Sequence, residues 1–327
     1  MPRSTILLKS YSSPSSTLAN IPILRVIGDN KGPRLSIVAA TNGTQYTGTQ
    51  ACLELYKCID ASTLRGELNL IPCANPAGFD NRERYRVPLN DDFEGEPNLN
   101  RIFPGDFQKS TPRKLAKSLF DFLVESSDFL VDIHGGDIFE EIIPCALYTL
   151  VASRNAKSKL AETDGESIKL AHSTGMNWII EGLCDYTKRG RLNVEATFKG
   201  IPSIGIETSS SGLLTASNFN DCYDAIHNIM SEINMLEHRE RAEQVKSQFV
   251  ITELKPVRAH FGGLLRTTKH AGDLIKEDDN LGYLLDLNGE VKETFDVPKK
   301  LEGVLVEQRT NPVIYSGDIV FEIGTYR

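Results

Sequence analysis

The chain has 327 residues, of which 40% are hydrophobic and 24% are charged, and its formal net charge is −8. This length provides a full hydrophobic core in one large domain, or in a large and a small one, and the composition is ordinary for a soluble globular protein. The negative charge argues against a nucleic-acid-binding protein, because phosphate contacts need a basic surface.

Apolar runs are short throughout the chain. The longest, such as residues 201–206 and 145–152, fall far below the roughly 20 residues that a membrane-spanning helix needs. The first residues lack the apolar stretch and cleavage site of a signal peptide, and the six cysteines form no C-x-x-C pair. We therefore expect reduced cysteines, a cytoplasmic location, and neither a membrane nor a nucleic acid as partner.

Strands and helices are predicted to alternate through most of the chain. In chain order we predict strands at 35–40, 67–71, 128–133, 145–151 and 202–206. The predicted helices are at 48–59, from Thr111 to about 125, at 156–175 and from 216 to about 248, and a polar loop is predicted at 73–109. Thr111 can cap the helix that it begins. This alternation is typical of an α/β sheet covered by helices.

The sequence changes character after residue 251. Short β-rich stretches alternate there with glycine turns, such as Ala271-Gly272-Asp273 and Ser316-Gly317-Asp318, which are typical of hairpin corners. We therefore predict a domain boundary near residues 250–255, with an α/β domain at 1–250 and a small all-β domain at 251–327.

Polar side chains lie where the predicted strands end. They are residues 42–45, His134 and Glu207, and the long loop adds Arg82, Arg84, Asn98, Asn100 and Arg101. In open α/β sheets, ligands bind at the carboxyl ends of the strands. These side chains converge on one pocket if the strands are neighbours in the sheet.

Several longer motifs accompany these residues. They are Asn75-Pro76, Arg84-Tyr85, the run Asn98-Leu99-Asn100-Arg101-Ile102-Phe103-Pro104-Gly105, Asp132-Ile133-His134, and Gly200-Ile201-Pro202 followed by Glu207. In this order they resemble the succinylglutamate desuccinylase and aspartoacylase family, and the glycine corners of the C-terminal part resemble its β-rich appendage. The resemblance covers about residues 35–324. The Asn-Arg-x-Phe-Pro-Gly run is specific, whereas Asp-x-His is weak by itself.

The resemblance implies a zinc-carboxypeptidase-like fold, with a mixed sheet flanked by helices and a small C-terminal all-β domain. It also implies hydrolysis of the amide or ester bond of a small N-acyl amino acid or related carboxylate, with zinc as cofactor. By this resemblance, Arg84 polarises the scissile carbonyl, Asn100 and Arg101 bind the substrate carboxylate, and Glu207 is the general base.

The chain departs from the family at two zinc ligands. Asn42 stands where the family has a ligand histidine and Gln45 where it has a ligand glutamate, while Gly43 and Gly48 stay in register. A catalytic zinc usually takes three protein ligands from His, Glu, Asp or Cys, and a neutral carboxamide oxygen is a much poorer donor. Since His134 is the remaining family ligand, we expect weak zinc affinity, with Asn42 and Gln45 contacting the substrate instead.

Two functional hypotheses follow. In the first, the chain is a hydrolase with a degraded metal site that uses Glu207 as base and Arg84 as oxyanion donor, with a metal at Asn42, Gln45 and His134 or a substitute for it. An alternative is a different metal site completed by another side chain, such as Asp137 or His270. In the second, a metal-free member binds a carboxylate ligand, or performs non-hydrolytic chemistry with Glu207 as base. The expected cofactor is zinc or none, and the expected partner is a small carboxylate. Both a monomer and a homo-oligomer are compatible with the sequence.

Overall fold

The structure is a computed structural model that describes residues 2–12, 18–85, 98–152, 158–183, 189–208, 210–237 and 247–327. Its strands are β1 (Arg3–Ser12), β2 (Leu18–Ile27), β3 (Asn30–Val38), β4 (Arg65–Ile71), β5 (Phe129–His134), β6 (Glu140–Ile142), β7 (Cys145–Leu150), β8 (Trp178–Leu183), β9 (Ser203–Glu207), β10 (Phe249–Arg258), β11 (Gly263–Thr267), β12 (Leu274–Ile275), β13 (Asn280–Leu285), β14 (Val291–Asp296), β15 (Gly303–Arg309), β16 (Val313–Ile314) and β17 (Ile319–Tyr326). Its helices are α1 (Thr47–Cys58), α2 (Pro76–Asn81), α3 (Thr111–Ser126), α4 (Lys159–Ser173), α5 (Leu192–Phe198) and α6 (Ala216–Glu232), with a 3₁₀ helix at Leu99–Arg101.

Most strands of the described residues form one large mixed sheet. Its order is β1-β2-β4-β3-β5-β9-β7-β8-β10-β17-β15-β12, with β6 paired to β15. The central neighbours β4, β3, β5 and β9 run parallel, whereas β10, β17 and β15 run antiparallel. A separate antiparallel sheet has the order β14-β13-β11-β16. This architecture confirms the predicted α/β class, with a mixed sheet flanked by helices and a small β-rich part at the C-terminal end.

The centre of the main sheet is buried between helices on its two faces. In β3, Ile37 faces the core shared with α1 and α6, whereas the adjacent Val38 faces the core shared with α3 and α5. Because successive side chains point to opposite faces of a strand, a central strand between two helical layers needs apolar residues on both sides. This requirement explains why residues 35–40 form an almost continuous apolar run in the sequence.

The C-terminal strands extend the main sheet. β10 pairs in parallel with β8, and β15 pairs with β6 through Glu307 opposite Ile142. The predicted boundary at residues 250–255 falls within β10, and the division of the chain into two domains stays a prediction. In the part of the chain that is described, no helix is long and apolar enough to cross a membrane.

Two helix ends differ from the prediction. α6 ends at Glu232 instead of near residue 248, because Asn234 adopts a left-handed backbone conformation (φ 58°) and the Met235 N–H donates to the Met230 carbonyl at 2.8 Å. A left-handed residue with such a backward bond is a common helix stop. At the start of α3, Ser110 holds the N-cap position and Thr111 is already helical, so the predicted capping role of Thr111 is wrong.

Candidate functional site

A cavity of about 280 Å³ lies at the carboxyl ends of β3, β5 and β9. The structure brings the seven predicted site residues to its lining, namely Asn42, Gln45, Arg84, Asn100, Arg101, His134 and Glu207. A larger depression of about 830 Å³ lies near the ends of α4 and β8 and along α6, and its lining includes none of these seven. The smaller cavity is therefore the candidate site, and the role of each lining residue stays a prediction.

The loop after β3 places Asn42 at the cavity through two backbone features. Ala40 adopts a left-handed conformation (φ 49°), which is a strained state for a residue with a side chain. Gly43 then passes so close to α2 that an added Cβ would lie 2.1 Å from the carbonyl carbon of Gly78. The Gly43 N–H donates to the Arg84 carbonyl at 3.2 Å. A glycine is needed at this position, and it ties the loop to the segment that carries Arg84.

Both ring nitrogens of His134 lie against protein groups. Nδ1 is 3.0 Å from Oε1 of Gln45, whose Nε2 donates to the Gly135 carbonyl at 2.5 Å. That second bond orients the amide, so Oε1 accepts and Nδ1 carries the proton. Nε2 lies 2.8 Å from Oδ2 of Asp132 and 3.2 Å from Nδ2 of Asn100.

The surroundings of His134 favour its charged form. Burial works against a charge on the imidazole, but Asp132, with Glu207 adding to its effect, outweighs burial and holds the pKa of His134 above its usual value. Nδ1 donates to Gln45, and Nε2 lies within 3.2 Å of both the Asp132 carboxylate and the Asn100 amide, so protein groups lie against both nitrogens of the ring.

The residues at the family's zinc position do not fit zinc. Gln45 uses its oxygen to accept from Nδ1 of His134, and Nε2 of His134 lies against Asp132 and Asn100. Asn42 contributes only a neutral carboxamide, whose oxygen is a poor zinc donor. Among the residues that the structure describes, no group of three His, Cys, Asp or Glu side chains is arranged to hold a metal ion.

Neither alternative metal ligand considered from the sequence completes a site. Asp137 is fully buried, accepts a hydrogen bond from Thr44, and lies 3.3 Å from the Arg84 guanidinium. His270 is 80% exposed in its side chain, beside Glu141. It borders a different surface depression and not the candidate cavity.

Arg84 is held by carboxylates that the sequence did not indicate as its partners. Its Nη1 lies 2.6 Å from Oε1 of Glu140 and 3.3 Å from Oδ2 of Asp137, and Nη1 of Arg309 is 3.4 Å from the same Glu140 oxygen. The Nε of Arg84 is buried and has no hydrogen-bond partner within the described ranges. The side chain is thus fixed in place while one of its donors stays unsatisfied.

The Asn100–Arg101 pair is fixed by an Asx turn and by the chain before α5. The Asn98 side chain accepts the Asn100 N–H at 2.9 Å. The Asn100 Oδ1 accepts the Leu192 N–H at 2.7 Å, which turns its Nδ2 toward His134. The Arg101 Nη1 donates to the Asn100 carbonyl at 2.7 Å. Arg101 itself is exposed, so its guanidinium stands at the rim of the cavity.

Gly190 forms the wall behind this pair. It has φ 84°, and an added Cβ would lie 2.0 Å from the Arg101 carbonyl oxygen. Its carbonyl accepts the Phe103 N–H at 3.1 Å, and its N–H donates to Glu195 at 2.9 Å. Arg189 makes a two-pronged ion pair with the same Glu195, at 2.6 and 2.8 Å. Sequence analysis did not identify this support, because a lone glycine gives no local signal of what it contacts.

Glu207 ends β9 directly opposite His134 in the register of β5 and β9. Burial raises the pKa of Glu207 to about 7, although the charges of His134 and Arg84 oppose this rise. A carboxyl group that titrates near neutral pH can both accept and return a proton under physiological conditions.

Three further carboxylates also line the cavity. They are Glu140 on β6, Glu307 on β15 and Glu322 on β17. Burial, together with the charges of Glu140, Glu322 and Glu207, holds the pKa of Glu307 well above its ordinary value. Sequence analysis missed this carboxylate wall, since the pairing of β6, β15 and β17 joins distant parts of the chain.

Comparison with known proteins finds a family profile and relatives that resemble this chain. A profile of the succinylglutamate desuccinylase/aspartoacylase catalytic domain matches residues 31–262, which is more than half of the chain. The N-alpha-acetyl-L-2,4-diaminobutyric acid deacetylase of Halomonas elongata is 23% identical over 315 residues, covering 93% of this chain and 85% of the relative.

Two solved structures show the same fold. A succinylglutamate desuccinylase from Silicibacter sp. TM1040 has a TM-score of 0.84 at 20% identity and covers 99% of this chain and 95% of that one. The product-bound ectoine utilization protein EutE (DoeB) from Ruegeria pomeroyi has a TM-score of 0.83 at 19% identity and covers 99% of both chains. These likenesses confirm the fold, and the profile match confirms the family predicted from the motifs.

Proposed function

We propose a function on the premise that this chain belongs to the succinylglutamate desuccinylase/aspartoacylase family. The cavity binds a small N-acyl amino acid, or a related carboxylate, and the protein hydrolyses its amide or ester bond without a zinc ion. The observation that carries this proposal is the convergence of Arg84, Asn100, Arg101 and Glu207 on one cavity of about 280 Å³. That volume suits a small ligand.

Two unsatisfied groups beside the cavity are complementary to an amide. The Asn42 Oδ1 is a buried acceptor and the Arg84 Nε a buried donor, and neither has a partner among the described residues. A ligand amide offers an N–H to the first and a carbonyl oxygen to the second after small side-chain adjustments. Since an unmade buried hydrogen bond costs about 1–3 kcal/mol, satisfying both groups favours such a ligand over one without an amide.

The ligand carboxylate belongs at the Arg101 end. A guanidinium presents a planar fork of donors that matches a carboxylate, and Arg101 stands at the rim of the cavity next to Asn100. The acyl carbonyl then points inward, toward Arg84 and Glu207. The name of the Halomonas elongata relative, a deacetylase of an N-acetylated amino acid, supports the same class of ligand.

Glu207 supplies the base in this scheme. Its carboxylate takes a proton from a water molecule as the water oxygen bonds to the acyl carbon, and the carbonyl oxygen gains negative charge. Arg84 donates to that oxygen. When the carbon–nitrogen bond breaks, Glu207 returns the proton to the leaving nitrogen, which yields a free carboxylate and an amine.

A second candidate is a protein that binds the same ligand without cleaving it. The observation that favours this candidate is that protein groups lie against both ring nitrogens of His134, where a metal would need a free lone pair. The ion pairs of Arg84 with Glu140 and Asp137 also reduce the positive charge that it can offer to an oxyanion.

Hydrolysis assays separate the two candidates. We would incubate the chelator-treated protein with N-acetyl-2,4-diaminobutyrate, N-acetylaspartate and N-succinylglutamate and measure the release of acetate or succinate. Hydrolysis is expected for at least one of them, and E207Q should lower kcat by about 100-fold or more while ligand affinity stays within a few-fold. E302Q, at an exposed glutamate, is the control. Binding without turnover selects the second candidate, and hydrolysis only after zinc addition contradicts the metal-free scheme.

A further inference from the structure

Five aliphatic side chains line one part of the cavity, and we call them the aliphatic floor. They are Ile142, Leu147, Ile180, Leu254 and Val306, and they come from β6, β7, β8, β10 and β15. Three of them, Ile142, Ile180 and Leu254, pack against one apolar cluster. Val306 is a member of that cluster, and Leu147 pairs with Ile180 in the sheet. The floor is therefore one continuous apolar surface within the cavity.

The register of the strands places this floor next to Glu207. Leu147 is paired with Gly205 on β9, and a Cβ added to Gly205 would lie 2.8 Å from the Cγ of Leu147, so the Leu147 side chain lies over this glycine. Gly205 precedes Glu207 by two positions in the strand, and residues two apart in a strand point to the same face. The proposed base and the aliphatic floor therefore share one face of the sheet.

Most of the aliphatic floor is only partly covered by the described residues. Aliphatic side chains in the core beneath the helices, such as Ile179 on β8 and Ile204 on β9, are 0% exposed. Leu147 and Ile180, in the same part of the sheet, remain half-buried and border the cavity. Since burying apolar surface away from water is favourable, an apolar surface inside a concave site favours a ligand that covers it with hydrocarbon.

The carboxyl groups that line the same cavity are compatible with a hydrocarbon ligand. Glu140 is ion-paired with Arg84 and Arg309, and Glu322 has an interaction partner of its own. Burial, and then the neighbouring carboxylates, hold the pKa of Glu307 well above its ordinary value, which favours its neutral form. A neutral carboxyl group costs much less than a carboxylate when an apolar chain displaces water beside it.

We propose that the aliphatic floor is a binding subsite for an alkyl chain of the ligand, carried by its acyl group or by its amino-acid side chain. This inference rests on the proposed function and narrows it to N-acyl amino acids that carry an alkyl chain longer than a methyl group. The ligand carboxylate lies at Arg101, the acyl carbonyl lies near Arg84 and Glu207, and the alkyl chain lies along Leu147 and Ile180. A charged group in the place of the chain loses its hydration without gaining a partner from the floor.

The test uses N-acetylglycine and two isomers that each add the same number of carbon atoms to it. N-hexanoylglycine carries the added carbons on the acyl group, and N-acetyl-L-norleucine carries them on the side chain. Affinities would be measured by calorimetry, or as kcat/KM where a probe is turned over. At least one isomer should exceed N-acetylglycine by about 30-fold or more, because each buried methylene contributes a factor of about three. The isomer with the larger gain identifies the chain that contacts the floor.

Variants then assign this gain to the floor. L147N, which keeps the approximate size and adds a polar group, should lower the gain by about fivefold or more. I180T, a β-branched substitution suited to a strand, repeats the test where L147N does not fold. The control L264N, at an exposed leucine on β11, should keep the full gain. Absence of a gain for both isomers, or a gain that survives L147N and I180T, overturns the subsite alone. Failure of the wild type to bind any of the three probes contradicts the proposed function as well.

Discussion

The loop after β3 and the loop that carries the 3₁₀ helix approach the cavity from two directions, and they differ in what they retain. The 3₁₀ loop carries Asn100 and Arg101, which resemble the family motif, together with the contacts that position them. The loop after β3 is held by the close approach of Gly43 to α2, and we interpret its Asn42 and Gln45 as amides that stand where the family has zinc ligands. The backbone of the loop after β3 is therefore placed by glycine contacts and peptide hydrogen bonds. Its side chains, and with them its chemistry, can change while the path of the backbone stays the same.

On this interpretation, internal hydrogen bonds take the place of a metal at the loop after β3. Gln45 accepts a hydrogen bond from Nδ1 of His134. Asp132 lies against the other ring nitrogen. A buried polar group needs partners to be tolerated, and the His134 ring has an acceptor at Nδ1 and a carboxylate beside Nε2.

The largest effect on ligand affinity is expected from a substitution of Arg101 in the 3₁₀ loop. R101A should weaken binding of an N-acyl amino acid by about 100-fold, because it removes charge-assisted hydrogen bonds to the ligand carboxylate. R101K should recover only part of this loss, since an ammonium lacks the planar fork. Calorimetry with the wild-type protein and R266A, an exposed control, provides the reference. Unchanged affinity in R101A would remove the carboxylate-binding role of this loop.

The support behind the retained loop is tested by a pair of glycine substitutions. G190A should destabilise the protein by about 2 kcal/mol, because Gly190 has a positive φ and its Cβ would meet the Arg101 carbonyl at 2.0 Å. G165A is the matched control within α4, where nothing lies within 4 Å of the added Cβ, and it should stabilise by about 0.5–1 kcal/mol. Urea unfolding measures both. Equal effects of the two substitutions would show that Gly190 imposes no such constraint.

A smaller effect should appear in the pH dependence of stability at Glu207. Its pKa is raised to about 7 in the folded protein, so the folded state holds a proton that the unfolded state releases above about pH 4.5. Stability therefore falls as pH rises between these values, and the loss is complete above about pH 7. E207Q should gain about 1–2 kcal/mol over the wild type at pH 8 and little at pH 5. If the difference in unfolding free energy between E207Q and the wild type, measured with urea, does not vary with pH, the raised pKa of Glu207 is contradicted.

Local motifs indicate residues on one side of the cavity but not those on the other side. His134 and Glu207 end adjacent parallel strands, and Asn100 and Arg101 belong to one short run, so the sequence alone indicates them. Glu307 reaches the cavity only because β15 pairs with β6 and β17. No local sequence pattern predicts the pairing of strands from such distant segments.

Some missed features did leave a signal in the sequence. Asp132 precedes His134 by two positions in a strand, so the two side chains share one face, and their contact at 2.8 Å follows from that spacing. Asn234, a residue type that favours the left-handed conformation, marks the end of α6 that the predicted helix overran. Gly190 left no such signal in the sequence. The residue that excludes a side chain at this position is Arg101, whose carbonyl belongs to another segment of the chain.

Zinc content tests most directly whether this pocket works without the family's metal. The wild-type protein and the N42H/Q45E double variant would be exposed to excess zinc, desalted and analysed for bound metal. The wild type should retain less than about 0.1 zinc per chain and the double variant about one, because only the variant restores three zinc-binding side chains with His134. About one tightly held zinc per wild-type chain would contradict the metal-free account, and zinc-dependent hydrolysis would then become the leading explanation of this site.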